Sequence, residues 1–281
     1  MFIFERQDCY LLQFRFINYN YYMKLFYTKA IFFLAILTFF SCENKKQKPE
    51  SKPYKAGVIL SFDDAYVDEW YEADQALKKY GWKATFNVCR IDSIGKPQIK
   101  KLLQLQKEGH EIAAHGYHHY NAVKFVNQHG IDAYMQQEID PMIVSMKRLG
   151  FNVTTFAYPY GERSDALDKA LSNDYKIIRG RAFGGEAPEK QDSFFSNSKI
   201  VFAFDIDNSH IHFSIPYVLE LLDYAKKHNK ILLLCGHKPV KNVTENYQTK
   251  IETLEFICKY MKLNDLKFYK TSDLDDLLPE E

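Results

Sequence analysis

The 281 residues carry a formal net charge of +1, with 37 Lys and Arg against 36 Asp and Glu, so the composition points away from a nucleic-acid partner. Hydrophobic residues make up 46%, enough for a sizeable core, and the length suits one enzyme-sized domain plus an appendage. Five cysteines, odd in number and scattered, make no disulfide framework, and the 16% of aromatics suits both a packed core and a groove that stacks on sugar rings.

The chain up to residue 55 reads as processing and tether sequence rather than fold. Ala30 to Phe40 is an apolar run of 11 residues, too short for a membrane span and right for a signal-peptide core. Lys24 and Lys29 form its positive flank, and Met23 just ahead of them reads as the true start, leaving 1–22 as an upstream extension. Ser41-Cys42 resembles the lipobox of bacterial lipoproteins, although Phe39 and Phe40 stand where smaller residues are commoner. The resemblance implies a signal peptide over 23–42, a lipid anchor on Cys42 and a place on a membrane of the bacterial cell envelope. Residues 43–55 are polar and Lys-rich with two prolines, the composition of a flexible tether.

From Ala56 onward, short apolar runs alternate with amphipathic stretches. The predicted strands are Gly57–Phe62, Ala84–Val88, Glu111–Ala114, Thr154–Ala157, Lys176–Arg179, Lys199–Phe204, Ile231–Leu234 and Lys267–Tyr269. The predicted helices are Glu69–Tyr80, Pro97–Glu108, Ile131–Leu149, Asp165–Ser172, Pro216–His228 and Glu245–Leu263, with a short one in the tail up to Leu278. Such alternation specifies a parallel sheet with helices outside, and seven or eight units favour a closed barrel over an open doubly wound sheet. No glycine-rich phosphate loop follows any strand.

In α/β barrels the working residues sit at the C-terminal ends of strands. Four chemically capable segments fall there: Asp63-Asp64, His115-Gly-Tyr-His-His119, Tyr158-Pro-Tyr-Gly161 and Gly236-His237. One carboxylate and two imidazoles form the ligand set of an open zinc-type site, and the spare carboxylate beside it is a candidate general base. Cys89 and Cys235 sit in apolar runs and read as buried small hydrophobes. His110 reads as structural, and His129, His210, His212 and His228 as surface or loop residues.

These segments resemble the polysaccharide deacetylases with a NodB-homology domain (carbohydrate esterase family four). The family's Thr/Ser-Phe-Asp-Asp run corresponds to Ser61-Phe62-Asp63-Asp64. Its His-x-x-x-His run after Gly-His-Glu-Ile corresponds to Gly109–Ile112 and His115–His119. Phe156-Ala-Tyr-Pro-Tyr-Gly161 and Leu234-Cys-Gly-His237, the latter one residue longer than usual, complete the set. The resemblance implies a distorted, seven-stranded, TIM-like (β/α) barrel over 56–278. It also implies Asp64, His115 and His119 as ligands of a divalent metal, zinc first, Asp63 as base, His237 as acid and the Tyr160 N–H as oxyanion donor. The implied reaction is removal of acetyl groups from an N-acetylated glycan; an O-acetyl, xylan-type esterase and a non-catalytic glycan-binding barrel are the alternatives. The sequence is silent on protein partners.

Three points stay open in the sequence. His118, at i+3 from His115, is the alternative ligand to His119. The family often has Arg just after the motif's Phe; Ala157 stands there, with Arg163, Arg179 and Arg181 as substitutes, and without such a neighbour the Asp63 pKa is expected to be higher. Asp205 and Asp207 compete to fill a further motif whose usual Trp is missing.

Overall fold

The computed structural model describes residues 53–279; the upstream extension, signal peptide, Cys42 and most of the tether fall outside the described residues. Seven parallel strands close into a barrel: β1 Gly57–Asp64, β2 Ala84–Val88, β3 Glu111–Ala114, β4 Thr155–Ala157, β5 Ile177–Arg181, β6 Ile200–Asp205 and β7 Ile231–Gly236. β7 pairs with β1 over Gly57 to Phe62, which completes the ring. A pair of short parallel strands, β8 Lys238–Val240 and β9 Gln248–Lys250, stands beside it. β10, Lys267–Tyr269, pairs with Gly57 to Ile59 on the β1 edge that β2 occupies from Leu60 to Asp64.

Strand alternation divides the chain between two cores. Val58, Leu60 and Phe62 of β1 pack outward with Trp70, Trp82 and Phe86, against the helices. Ile59 joins Ile177, Val201, Ala203, Leu233 and Cys235 in an inner cluster. Further along the same inward register, β1 presents Ser61 and Asp63 and β5 presents Arg179, so the lumen turns from apolar to charged toward the strands' C-terminal ends. At the opposite end Glu111 accepts hydrogen bonds from Thr155 Oγ1 (2.6 Å), Thr85 Oγ1 (2.9 Å) and the Ser272 N–H (2.9 Å), tying β2, β3 and β4 to the closing turn Thr271–Leu277. His110 is buried against Asp74 at 3.0 Å and takes the Ala84 N–H, the structural role expected of it.

The expected helices are present with three differences. Ala122–His129 is an additional helix, started by Asn121, whose side chain accepts the Lys124 N–H. The helix expected over Ile131–Leu149 contains a π segment, Met135–Ile139, two residues ahead of Pro141. Pro141 lacks an N–H and its ring crowds the preceding turn, so a wider turn there relieves it. The last long helix starts at Ile251, not Glu245, because Gln248–Lys250 is drawn out as β9. Among the described residues no helix is long and apolar enough to cross a membrane.

Candidate active site

The barrel mouth holds a cavity of about 230 Å³ reached by Asp63, Asp64, His115, His119, Tyr160 and His237, together with Arg179, Arg181, Asp205 and Tyr247. The six residues given site roles from the sequence, Asp63, Asp64, His115, His119, Tyr160 and His237, therefore line one cavity. Adjacent strand residues normally point to opposite faces. Asp64 escapes that rule through a left-handed backbone, φ 85°, which lets both carboxylates enter one site. His119 (φ 65°), Tyr160 (φ 63°) and Tyr247 (φ 59°) share this conformation, so four of the eight non-glycine residues with positive φ among the described residues line the cavity. Each such residue costs about 1–3 kcal/mol, a strain that concentrates where geometry serves function.

Asp64 Oδ1 lies 3.1 Å from His119 Nε2 and 3.8 Å from His115 Nε2. Ligand atoms at ~2.0–2.2 Å from one tetrahedral ion sit roughly 3.4 Å apart, so Asp64 stands close to ligand spacing from each of the two histidines. His115 is prepared for that role twice over. Its Nδ1 faces the Ala157 carbonyl at 2.8 Å, which makes Nδ1 the donor and leaves the Nε2 lone pair toward Asp64. Burial holds its pKa down to about 4, so the ring is neutral at pH 7. The ring of His118, the alternative to His119, is half-exposed and stacks on Tyr120, outside the cavity. Cys89, read from sequence as a buried hydrophobe, is buried, and its Sγ also lies within 4.8 Å of the Asp64 and His119 ligand atoms. Burial, with the Asp64 charge behind it, pushes that thiol up to about 12.

Asp63 is buried deeper than Asp64, and Arg179 supplies the positive neighbour that Ala157 cannot. One terminal nitrogen of Arg179 lies 2.6 Å from each oxygen of Asp63, and Asn87 Nδ2 donates to Oδ1 at 2.8 Å. The substitution has a simple geometry: Arg179 on β5 is the ladder partner of Ala157 on β4. The guanidinium enters from the neighbouring strand at the same level. Of the three arginines named as substitutes Arg179 takes the place, so the condition for a higher pKa is not met. Burial alone would raise it, but the Arg179 charge and hydrogen bonds hold the Asp63 carboxyl well below the usual carboxylate range. Arg163 is engaged by Asp165 and Asp168, and Arg181 lies 3.6 Å from Asp205, so neither takes this place.

Replacing Arg179 by Gln should cost about 3–5 kcal/mol of stability at neutral pH, because it strands a buried carboxylate. A depressed carboxyl pKa stabilises the fold above the ordinary carboxylate range and loses that contribution as pH falls toward the folded value. In Arg179→Gln burial wins, so the acid limb of any Asp63-dependent activity should move to higher pH. Urea unfolding at two pH values and a pH–rate profile check both parts, and an unmoved acid limb would rule out this pairing.

On the far side of the cavity stands His237. Its Nδ1 is 2.5 Å from Asp207 Oδ2, and its own N–H donates to Asp207 Oδ1. Thr249 Oγ1 also donates to Asp207 Oδ1, at 2.5 Å. Burial disfavours the imidazolium, but the Asp207 carboxylate outweighs it and lifts the His237 pKa to about 9. Of the two competing aspartates, Asp207 is thus the partner of His237. Asp205 accepts the Asp207 N–H at 2.9 Å and lines the cavity, its own pKa raised to about 6 by burial and the Asp207 charge. Gly236 is the extra residue before His237. A Cβ there would lie 2.2 Å from Thr249 Oγ1, so only glycine lets β9 bring Thr249 onto Asp207. Asn87, Thr249 and Tyr247 were not singled out from the sequence; Asn87 is the ladder partner of Asp63, a relation visible only once strand register is known.

Residues 50–177 match the family model described as polysaccharide deacetylase. Over that segment the chain is similar to the polysaccharide deacetylases. YxkH of Bacillus subtilis (strain 168), whose name assigns it to the same deacetylases, is 30% identical over 127 residues, which is 43% of each chain. The match therefore spans less than half the length of that curated relative. The barrel superimposes on a structure from Mycobacterium smegmatis named for the same family, with TM-score 0.58 and 15% identity over 81% of this chain and 92% of that one. The peptidoglycan deacetylase PdaC of Bacillus subtilis gives TM-score 0.51 and 18% identity over 80% and 93%. At those identities the two structures establish the shared deacetylase fold. The matched family segment ends at β5, so Asp207, His237 and Thr249 lie beyond it and rest on the geometry of the cavity.

Proposed function

We propose that this domain is a metal-dependent hydrolase that removes acetyl groups from an N-acetylated glycan, with N-acetylglucosamine units as the favoured substrate class. The observation that carries the reading is the arrangement across one cavity: a carboxylate kept ionised by Arg179, a three-residue ligand set, and a histidine kept protonated by Asp207. An amide needs help at both ends, since its carbonyl is a poor electrophile and its nitrogen a poor leaving group unless protonated. A divalent cation such as zinc, when bound by Asp64, His115 and His119, polarises the carbonyl and acidifies water. Asp63 takes a proton from the attacking water. The Tyr160 N–H, on a left-handed turn at the cavity rim, donates to the oxyanion. His237 gives its Nε2 proton to the departing nitrogen, its Nδ1 side being committed to Asp207.

A cavity of about 230 Å³ is smaller than the ~300–1,000 Å³ of pockets that enclose a drug-sized ligand. It suits the acetamido end of one sugar while the rest of the polymer lies across the mouth, where Tyr160 and Tyr247 are exposed. The purified protein, loaded with zinc or cobalt, should release acetate from chitooligosaccharides, peptidoglycan or poly-N-acetylglucosamine faster than from acetylated xylan. Acetate from xylan alone would overturn the amide reading, and acetate from none of them would overturn the activity. The same proposal includes a lipid anchor at Cys42, supported by the Ser41-Cys42 sequence after its apolar core. Palmitate labelling of the full chain that persists in Cys42→Ser would remove it.

A further inference from the structure

The connection between β3 and β4 contains the π segment Met135–Ile139, and its fourth residue, Glu138, has 0% exposure. A carboxyl group removed from water must find donors. Glu138 finds them in the backbone of the histidine loop. Its Oε2 accepts the His118 N–H and its Oε1 the Tyr120 N–H, each at 2.6 Å. Its main-chain carbonyl accepts the Tyr117 N–H at 3.3 Å. The two side-chain bonds grip the residues on either side of His119, and His119 itself holds a left-handed backbone, φ 65°. Room for the carboxyl is kept by Gly116, where a Cβ would stand 3.4 Å from Glu138 Oε2 and 3.3 Å from Pro159 Cγ.

We propose that Glu138 is a positioning residue for the metal-binding loop: its carboxyl group clamps the amides flanking His119 and thereby fixes the angle at which His119 Nε2 meets Asp64. The inference rests on the reading of Asp64, His115 and His119 as metal ligands and goes beyond it, because Glu138 touches neither metal nor substrate. Loop residues rarely keep a strained conformation unless their surroundings over-determine it. Here the over-determination comes from one buried side chain held between helical turns. The π segment has a function in this picture. The wider turn carries Glu138 within it, so the side chain leaves the helix from a π-helical backbone.

Glu138→Gln keeps the shape but replaces one acceptor by an NH2 that must face a backbone N–H. Zinc affinity should fall about 10–100-fold, as it does when groups supporting metal ligands are removed. The cobalt-loaded protein should change its visible absorption spectrum, and kcat should fall more than KM rises. Thr155→Val, which removes a hydrogen bond to Glu111 at the other end of the barrel, serves as the control for general destabilisation and should keep the native zinc Kd. In the metal-free native protein the His118 and Tyr120 amides should exchange with solvent slowly although they lie in a loop. Native zinc affinity and cobalt spectrum in a folded Glu138→Gln protein would overturn the inference. If that variant does not fold, fast exchange of both amides in the native protein overturns it and slow exchange supports it. Asp64→Ala separates the two levels: if it binds zinc as the native chain does, the ligand reading itself falls, whereas its loss of zinc beside an unaffected Glu138→Gln defeats only the clamp.

Discussion

Replacing Asp63 by Asn should lower kcat on an N-acetylated chitooligosaccharide by about 10²–10⁴-fold while stoichiometric zinc stays bound. Asp64→Ala should lose the zinc and the activity together. The two carboxylates are neighbours in sequence, so the contrast is a stringent one. Its physical basis is the difference in their surroundings. Asp63 is buried between Arg179 and Asn87, with both oxygens already in hydrogen bonds. Asp64 stands nearer the mouth and faces His119 at 3.1 Å and His115 at 3.8 Å. Metal analysis of the two purified variants beside their acetate release is the measurement. Loss of metal from Asp63→Asn, or its retention in Asp64→Ala, would exchange or erase the assigned roles.

The second large effect belongs to His237. His237→Ala should lose about 10²–10⁴-fold on amide substrates and distinctly less on acetyl esters, whose leaving oxygen needs less protonation. Asp207→Asn gives the subtler result. Burial favours neutral imidazole and the Asp207 carboxylate favours imidazolium; with the carboxylate the balance comes out at about 9. A raised histidine pKa stabilises the fold fully below the ordinary value near ~6.5 and loses that contribution as pH rises through the folded value. Without the carboxylate, burial wins and the acid form is lost at lower pH. The alkaline limb of kcat should therefore move down in Asp207→Asn, with thermal stability falling most on the acid side of pH 9. A limb that stays in place would mean that another group sets it.

Much of this site is legible before any fold is known. Asp63 and Asp64 end an apolar strand, His115, His119, Tyr160 and His237 come after others, and strand ends converge in a parallel barrel. Local pattern suffices for such residues because each is tied to its own element. The partners of these residues are less legible for the opposite reason. Arg179 stands 116 positions from Asp63, and Thr249 stands 42 from Asp207. Three arginines and two aspartates were equally plausible along the chain. Only the β4–β5 register, which sets Arg179 across from Ala157, and the Gly236 contact, which admits Thr249, separate them. The condition for a more basic Asp63 was not met on the same account: the gap at Ala157 is filled by Arg179 from the next strand.

Residue order carries the alternation of strands and helices, the closed barrel, and the identity of the six side chains that reach the mouth. These follow from apolar periodicity and from residue chemistry at strand ends, which are local properties. Packing in three dimensions sets the charge and orientation of those side chains. Arg179 keeps Asp63 ionised, Asp207 keeps His237 protonated, the Ala157 carbonyl turns His115, and Glu138 holds the backbone around His119. Each is a short contact across a large sequence separation, set by strand register, a left-handed residue or a widened helical turn, and none of these has a signature in the local pattern of the chain.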